Sequence, residues 1–511
     1  MLKNIKLYLE QMMENKNFYI TTTLPYVNAP LHMGHALEFV RADSIARYKK
    51  LIGNDVYFNT GTDEHGLKIY ERAQSQNITA QEFVDKGFET FKEQLKMFGV
   101  SDDIHFIRTT DKNHESAAQE FWKRVNDNGY IYKKNYETKY CVGCESEKTE
   151  SELENGECPL HPGVALKIIN EENYFFKYSA FCDKLLEFYE KNPNFVIPEF
   201  RFNEIKSFVK NGLQDFSISR LKEKMPWGIP VPGDDTQVMY VWFDALVNYI
   251  STLGWPFDNA QGEPKENLFE KYWINGNPTQ YCGKDNLRFQ SAMWQAMLMA
   301  ADLPNSHQII INGFITGEGG IRMSKSLGNG VDPKDIVSEY GTDALRYFLL
   351  REVSSFEDSP FTLERFKDSY NSGLANGLGN LVSRVMRMAT TNGIIYDEKK
   401  FIVDKYGLSV GDKIIIDYRE NIEKFNIANA VADIWLMIQE CDKLIQSNEP
   451  FKKIKNEETK EEAINTIQFL LHDIKQIGTL LQPIMPDTSK IILELVIENK
   501  MPEKPLFLRK E

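Results

Sequence analysis

Two histidines, His32 and His35, flank Gly34 where an apolar run ends and a helical pattern begins. The β-branched run Phe18–Thr23 predicts a strand, and the apolar spacing that continues to Leu51 predicts a helix. A helix N-terminus offers unpaired backbone N–H groups and partial positive charge, and a glycine lets a flat base approach the backbone. The stretch therefore predicts a nucleotide site, although a surface turn with two histidines would show the same pattern.

Three cysteines and a histidine form two close pairs, Cys141-x-x-Cys144 and Cys158-x-x-His161, in a polar segment. Four such ligands can close a tetrahedron around Zn²⁺, which gives a short segment without its own core a fixed shape. Because four protein ligands leave no open position, the predicted zinc is structural. An unmetallated or redox-active knuckle is the alternative. The other cysteines lack partners at such spacing and are predicted to be core residues: Cys182, Cys282 and Cys441.

A glycine-rich, basic loop runs from Gly317 to Ser326 and contains Lys325 between two serines. Its glycines allow hinge motion, and a lysine can carry a point charge to a transferring phosphoryl group. The loop is therefore predicted to be a lid over phosphates, with an ordinary surface loop as the alternative.

Alternating strand and helix patterns must position these groups. The chain from Phe18 to about residue 115 predicts a parallel α/β half-domain. The polar turn Gly61–Gly66 lies at the C-terminal end of a predicted strand, and ligands of open α/β sheets bind at such ends. A second α/β stretch begins near Trp227, with predicted strands at Val238–Phe243 and His307–Ile311. The cysteine segment therefore interrupts a split sheet as an insertion. From about residue 366 onward, helical periods dominate.

The composition excludes several classes of protein. A hydrophobic content of 42% is enough to build proper cores, and a net charge of −14 argues against indiscriminate coating of nucleic acid. No apolar run reaches membrane-spanning length, and the first 17 residues mix lysines with glutamates, unlike a signal or transit peptide. We therefore expect a cytoplasmic protein that does not associate with membranes.

Taken together, His32–His35 and Arg322–Ser326, 290 residues apart, resemble the paired signatures of class I aminoacyl-tRNA synthetases. Neighbouring segments narrow the resemblance, which spans residues 18 to 511, to the methionyl-tRNA synthetase family. These segments are Leu24–Asn28, Gly61–Gly66, Ile218–Arg220, Tyr240–Ala245 and Gly283–Asp285.

The resemblance and the patterns together predict an α/β fold: a split Rossmann-type parallel sheet with an inserted zinc-binding connective domain, followed by an α-helical bundle. The predicted divisions are the first catalytic half at 1–115, the insertion at 116–225, the second half at 226–313, the signature-loop and stem-contact region at 314–375, and the anticodon-binding bundle at 376–511.

The activity that the resemblance implies is ATP-dependent ligation of L-methionine to its tRNA, through methionyl-adenylate and with release of pyrophosphate, for translation initiation and elongation. It needs no enzyme nucleophile, so catalysis would consist of positioning and charge stabilisation. His32, His35 and Lys325 would act on the phosphates of Mg²⁺-bound ATP, and Gly34 and Glu38 would help to bind ATP.

The resemblance also assigns the other substrates. Aromatic and apolar walls suit a thioether, and Asp63 would hold the substrate ammonium group. The positions expected to bind methionine are Leu24, Tyr26, Asp63, Trp242, Ala245, Leu246, Tyr249, Phe289 and Gln290. The positions expected to contact the anticodon, by stacking and by hydrogen bonds, are Asn380, Arg384 and Phe451.

Four positions depart from the pattern that the resemblance leads us to expect. Gln290 stands in place of a pocket histidine, Phe216 and Phe451 in place of tryptophans, and Arg322 in place of a lysine. Gln290 keeps a hydrogen-bond donor near the methionine side chain but changes the geometry of the hydrogen bond that a histidine would make there. Phe451 keeps a stacking ring of smaller area.

Several rival functions share part of this pattern. Valine, isoleucine and leucine synthetases carry a long insertion that the space between the two half-domains of this chain cannot hold. Cysteinyl-tRNA synthetase would use zinc in its amino-acid pocket, whereas the four predicted ligands here leave no open position on the metal. A catalytically inactive, synthetase-like tRNA-binding protein would not need His32, His35 and Lys325, and a zinc-containing adenylyltransferase would not explain the helical C-terminal part. The chain shows no appended tRNA-binding module of the kind that dimerises some relatives, so we expect a monomer.

Overall fold

A computed structural model of the chain describes residues 17–144, 146–148, 152–256, 267–321, 330–398 and 410–511. Packing divides the chain into two compact units. Unit 1 contains the described residues up to Leu31, Gly53–Gln94 and Asp102–Ile311, and unit 2 contains His32–Ile52, Leu95–Ser101 and the described residues of Asn312–Glu511. In the described ranges, no helix combines the length and the apolar character that a membrane crossing requires.

The strands lie mainly in the first two-thirds of the chain. In chain order they are β1 (Asn17–Thr22), β2 (Asp55–Thr62), β3 (His105–Arg108), β4 (Ile131–Cys141), β5 (Ser146–Lys148), β6 (Lys167–Phe176), β7 (Val196–Ile197), β8 (Phe216–Ser217), β9 (Ser219–Leu221), β10 (Pro230–Val231), β11 (Asp234–Met239), β12 (Asn277–Gly283), β13 (Gln308–Asn312), β14 (Ile315–Thr316) and β15 (Ser359–Pro360).

The α-helices are distributed over the whole described chain. In chain order they are α1 (Met33–Leu51), α2 (Leu67–Ser75), α3 (Ala80–Met97), α4 (Lys112–Asp127), α5 (Cys182–Lys191), α6 (Glu199–Lys210), α7 (Val241–Ala245), α8 (Asn248–Ser251), α9 (Trp294–Ala300), α10 (Pro333–Tyr340), α11 (Thr342–Tyr347), α12 (Leu363–Ser369), α13 (Asn380–Thr391), α14 (Val410–Glu423), α15 (Ile427–Asn448), α16 (Pro450–Lys453), α17 (Lys460–Leu480) and α18 (Pro486–Glu498). Wider π-helical turns occur at Phe269–Ile274, Phe289–Met293, Phe348–Glu352 and Tyr370–Gly379.

Unit 1 is built on a six-stranded sheet with the order β3-β2-β1-β12-β13-β7. β1 pairs in parallel with β2 and with β12, so that Phe18 lies opposite both Val56 and Asn277. Tyr19 and Ile20 in β1 are fully buried, as expected for a parallel strand covered on both faces. The predicted split parallel sheet is therefore confirmed, and the carboxyl ends of strands from both halves of the chain meet at one edge.

The segment between the two sheet halves contains a four-stranded antiparallel sheet with the order β5-β4-β6-β8, and its strand β7 joins the parallel sheet by pairing with β13. Its main feature is the long pairing of β4 with β6, from Ile131 opposite Phe176 to Tyr140 opposite Lys167. Cys141 ends β4, so the ribbon carries the first predicted metal ligand at its tip.

The strand predicted at Val238–Phe243 is wrong beyond Met239. β11 ends at Met239 and belongs to a small antiparallel sheet, β10-β11-β9, rather than to the parallel sheet. Tyr240 has an extended backbone, and the helix α7 follows it. The run is buried almost throughout, and periodicity cannot distinguish a short buried strand from a short buried helix.

The predicted change to helical structure near residue 366 is confirmed in unit 2. In α15 the apolar residues Val431, Ile434 and Ile438 are buried, as the sequence pattern predicts. Two of the three cysteines that were predicted to be core residues, Cys282 and Cys441, are buried, and Cys182 is half-buried.

A buried ion pair connects separate segments of unit 2. Asp43 in α1 and Arg346 in α11 are fully buried, with 2.8 Å between Oδ2 and Nη2. Arg346 also donates to the carbonyl oxygens of Gly99 (3.0 Å) and Ile484 (2.8 Å), and Asp43 accepts from the Ser101 hydroxyl (2.7 Å). Burial alone would raise the pKa of Asp43, but the charges of Arg346 and Arg47 outweigh it and lower this pKa below its usual value.

We predict that Asp43→Asn lowers the free energy of unfolding by about 3–5 kcal/mol, because it leaves the Arg346 charge buried without its partner. The pKa of Asp43 is lower in the folded state, so its stabilisation is complete above about pH 4 and is lost as the pH falls below that value. Denaturant unfolding at pH 7 and at lower pH measures both effects. Asp417→Asn, an exposed acid in α14, is the control. Equal losses in the two variants at pH 7 would contradict the prediction.

Candidate functional site

The N-terminus of α1 is capped by the two histidines of the predicted nucleotide site. His32 Nδ1 accepts from the backbone N–H of Gly34 (3.1 Å), and His35 Nδ1 accepts from the backbone N–H of His32 (3.2 Å). The two rings stack with their centroids 3.9 Å apart. A Cβ at Gly34 would lie 2.9 Å from Cε1 of His32, so glycine leaves room for this ring.

These hydrogen bonds fix the tautomer of both histidine rings. Each Nδ1 is an acceptor, so each neutral ring carries its proton on Nε2. Burial and the neighbouring His32 hold the pKa of His35 well below its ordinary value, so His35 is neutral at pH 7. Glu38 follows on the same helix and is buried. The helix end thus presents imidazole Nε2–H donors at the partial positive charge of a helix N-terminus, a combination that suits an anion.

The predicted methionine-binding residues lie in unit 1, and two of them, Tyr26 and Asp63, meet beyond the ends of β1 and β2. Tyr26 and Asp63 form a parallel bridge. The backbone N–H of Val27 donates to the Asp63 carbonyl (3.0 Å), and that of Asp63 donates to the Pro25 carbonyl (3.1 Å). Leu24, Tyr26 and Asp63 are half-buried at this edge of the sheet. The pairing therefore makes an aspartate and a tyrosine neighbours at this edge of the sheet.

Two further pairs of predicted residues are in contact. The Trp242 and Phe289 rings stack with their centroids 3.9 Å apart and their planes inclined by 3°. Gln290 Nε2 donates to the Tyr249 hydroxyl at 2.7 Å. Ala245 and Leu246, which follow Trp242 in the chain, are buried. These pairs join the α7–α8 segment to the wide helical turn at Phe289–Met293.

A buried cluster that was not predicted as a site joins the turn after β2 to α7. His65 Nδ1 lies 3.1 Å from Asp244 Oδ2, and His114 Nδ1 lies 2.9 Å from the Ser251 hydroxyl. Burial would lower the pKa of His65, but the charge of Asp244 outweighs it and raises this pKa. Burial and the nearby His65 lower the pKa of His114 to about 3, so His114 is neutral at pH 7.

His65 and Asp244 thus form a buried hydrogen-bonded pair between the turn that carries Asp63 and the helix that carries Trp242. Both stand in the segments that carry the family resemblance. Their contact spans 179 positions of the chain, and the spacing within either segment gives no sign of it.

The predicted metal ligands come together at the tip of the β4–β6 ribbon. Their donor atoms all lie within 4.8 Å of one another. His161 Nδ1 is 3.2 Å from Cys144 Sγ and 3.8 Å from Cys141 Sγ, and the sulfur atoms of Cys144 and Cys158 are 3.5 Å apart. Ligands of a tetrahedral zinc ion stand about 3.5–3.8 Å from one another. The four residues can therefore hold a metal ion, and the donor set of three sulfurs and one nitrogen fits Zn²⁺.

The predicted anticodon contacts lie in unit 2. Asn380 and Arg384 are one turn apart on α13, and Asn380 is exposed. Arg384 Nη1 pairs with Asp442 Oδ1 on α15 at 2.8 Å, and both side chains are partly exposed. Phe451, on the short helix α16, is 43% exposed, which is high for an aromatic ring. Lys325 and Arg322 lie outside the described residues.

We predict that Gly143→Ala lowers metal affinity about 10- to 100-fold, because a Cβ at residue 143 would lie 2.5 Å from the His161 ring and would displace this ligand. Metal analysis after dialysis against a graded chelator series measures the effect. Leu160→Ala, an exposed change between Cys158 and His161, is the control and should keep its metal. Full retention of metal by Gly143→Ala would contradict the prediction.

The chain is similar to known proteins both in its sequence and in its structure. A family model described as "tRNA synthetases class I (M)" matches residues 18–165 and 147–386. Methionine–tRNA ligase of Caldanaerobacter subterraneus subsp. tengcongensis is 41% identical over 94% of this chain and 74% of its own length. Methionine–tRNA ligase of Rhizobium meliloti is 38% identical over 95% of this chain and 92% of its own length.

Solved structures give the same result. Mycobacterium tuberculosis methionyl-tRNA synthetase in complex with methionyl-adenylate matches with a TM-score of 0.83 at 35% identity, over 94% of this chain and 93% of that chain. A second structure of that enzyme bound by methionyl-adenylate matches with a TM-score of 0.84 at 33% identity, over 97% and 99%. On these similarities, the chain belongs to the methionyl-tRNA synthetase family of class I aminoacyl-tRNA synthetases.

Proposed function

We propose that this chain ligates L-methionine to its tRNA, for both initiation and elongation of translation. The methionine carboxylate attacks the α-phosphate of ATP and releases pyrophosphate, and the terminal ribose of the tRNA then attacks the methionyl-adenylate. The observation that carries this proposal is the likeness, along almost the whole chain, to a synthetase bound to methionyl-adenylate. The family membership favours this activity over an inactive tRNA-binding protein.

The roles in the first step follow from the donors at the N-terminus of α1. His32 and His35 would donate from Nε2 to the phosphates, and the Gly34 backbone would lie against the nucleotide. Glu38 would complete the ATP site, and Mg²⁺ would arrive with ATP. Lys325 would add a positive charge as pyrophosphate leaves. These groups stabilise charge without forming a covalent bond to the substrate.

The methionine site would use the pairs at the sheet edge. Asp63 would bind the ammonium group, and the aromatic and apolar side chains would surround the thioether, for which their polarisable surfaces are suited. Those side chains are Leu24, Tyr26, Trp242, Ala245, Leu246, Tyr249 and Phe289, and Gln290 would act through its hydrogen bond to Tyr249.

The metal at the ribbon tip would be a structural Zn²⁺ held by Cys141, Cys144, Cys158 and His161. Zinc supplies the free energy that shapes a polar segment with little core of its own. His161 would coordinate through Nδ1, the ring nitrogen that faces the sulfur atoms.

The tRNA anticodon would bind at Asn380, Arg384 and Phe451. Arg384 would exchange its pairing with Asp442 for a base edge, and the exposed Phe451 ring would stack on a base. We further propose the five-part division predicted from the sequence, a cytoplasmic location and a monomer. Light scattering of the purified protein tests the last of these.

We predict that methionine drives ATP–pyrophosphate exchange better than any other amino acid, and that Lys325→Ala slows it about 10²- to 10³-fold through the loss of one charge on the phosphates. The exposed Lys334→Ala is the control and should keep the wild-type rate. Faster exchange with another amino acid would overturn the assigned substrate, and undiminished exchange in Lys325→Ala would remove Lys325 from catalysis.

We predict that Arg384→Ala raises the KM for tRNA in aminoacylation about tenfold or more, because a charged hydrogen bond to a base edge is lost. Exchange should persist, since the first step does not use tRNA. Arg387→Ala, an exposed arginine on the same helix, should change the KM for tRNA much less. Equal effects of the two arginine variants would indicate general electrostatic attraction and would contradict the assigned contact.

A further inference from the structure

A buried chain of side-chain hydrogen bonds, which we call the relay, begins at the predicted methionine site and continues away from it within unit 1. Its members are at most 3% exposed: Tyr249, Gln280, Gln290, Gln295 and Ser306. A glutamine amide can be turned by 180° with little change in shape, so the direction of such a chain depends on what holds its far end.

The far end is held by two backbone groups. Gln295 Nε2 donates to the Gln290 carbonyl (2.8 Å), and Gln295 Oε1 accepts from the backbone N–H of Ser306 (3.1 Å). A carbonyl can only accept and an N–H can only donate, so the Gln295 amide has one permitted orientation.

That orientation determines the next two bonds. Gln295 Nε2 also donates to the Ser306 hydroxyl (3.1 Å), so the single proton of Ser306 points to its other neighbour, Gln280, at 2.6 Å. The Gln280 atom that receives it must be Oε1. Gln280 Nε2 therefore faces Gln290 and donates to its Oε1 at 2.8 Å.

The last bond reaches the substrate site. Because Gln290 Oε1 accepts from Gln280, Gln290 Nε2 faces Tyr249 and donates to its hydroxyl at 2.7 Å. The Tyr249 oxygen is an acceptor in this bond, so its own proton must point in another direction.

We propose that Gln280 and Ser306 are positioning residues that act through the Gln290 amide and direct the Tyr249 hydroxyl proton to the thioether of bound methionine. This inference rests on the proposed function, which places Tyr249 in the methionine site. Sulfur in a thioether is a weak acceptor, so a donor with a fixed direction separates methionine from norleucine, which has a CH₂ group in place of sulfur. The relay contains no group that titrates near neutral pH.

Gln280→Glu tests the direction of the relay. An ionised glutamate only accepts, so Gln290 must turn its NH₂ group toward residue 280 and present its oxygen to Tyr249, which then donates to Gln290 instead of the substrate. A protonated glutamate can donate to Gln290 Oε1 and restores the native direction. Burial raises the pKa of a carboxyl group, so the change of direction should fall within a measurable range of pH.

The quantity to measure is the ratio of kcat/KM for methionine to that for norleucine in ATP–pyrophosphate exchange, from about pH 6 to about pH 9. In Gln280→Glu we expect this ratio to fall about three- to tenfold at high pH and to recover on acidification, the range expected for loss of one hydrogen bond. The KM for ATP should stay near the wild-type value. Gln308→Glu, the same chemical change on β13 outside the relay, is the control.

Two further variants complete the test. Tyr249→Phe removes the donor itself and sets the largest expected fall in the ratio. Ser306→Ala removes the proton that orients Gln280, so it should lower the ratio in the same direction, and it serves in place of Gln280→Glu if that protein does not fold.

The outcomes separate the inference from the proposed function. If Tyr249→Phe lowers the ratio while Gln280→Glu and Ser306→Ala keep the wild-type ratio at every pH, the relay does not position Tyr249 and the inference is overturned. If Tyr249→Phe also leaves the ratio unchanged, the inference fails together with the assignment of Tyr249 to the thioether. Exchange driven by methionine would still support the proposed activity in both cases.

Discussion

The pairing of β1 with both β2 and β12 is the contact on which the rest of unit 1 depends. β2 follows β1 closely in the chain, whereas β12 returns to it after more than 250 residues, with Phe18 opposite Asn277. Such a distant closure is tolerable because its entropic cost grows only slowly with the length of the intervening chain. The chain between the strands can therefore hold a complete antiparallel ribbon with its own metal ligands. The parallel register also places the carboxyl ends of strands from both sequence halves at one edge, where Asp63 and Tyr26 meet.

Buried pairs of titratable side chains connect the segments within each unit. In unit 1 the His65–Asp244 pair joins the turn that carries Asp63 to the helix that carries Trp242. In unit 2 the Asp43–Arg346 pair joins α1 to α11. Removing polar and charged groups from water is costly unless they are paired, so each pair fixes the relative position of its two segments, and losing one partner carries a penalty. The residues proposed to bind ligands can therefore lie on turns and short helices and still be held in place by groups behind them.

The sequence predicted those parts of the molecule that local pattern determines. β1, the helix that continues to Leu51, and the clustering of Cys141, Cys144, Cys158 and His161 follow from apolar spacing and ligand spacing, and the structure contains all three. The strand prediction was wrong for Val241–Phe243 because a run that is buried almost throughout shows no alternation of polar and apolar residues, and a short buried helix then looks like a short buried strand. The His65–Asp244 pair and the glutamine relay could not be predicted, since their partners are set by tertiary packing and glutamines at 280, 290 and 295 have no characteristic spacing.

The substitution at residue 290 gains a physical meaning from the relay. An imidazole, which the family resemblance leads us to expect there, titrates near neutral pH and becomes a donor at both nitrogens when it is charged. Its effect on Tyr249 would then change with pH, and its charge would need a buried partner. An amide keeps one donor and one acceptor at every pH, but it can turn, so its direction must be imposed from outside. Gln280, Ser306 and Gln295 impose it, and the backbone groups of Gln290 and Ser306 fix the last of these three. A neutral residue at 290 thus requires a longer hydrogen-bonded chain behind it, and the structure contains such a chain.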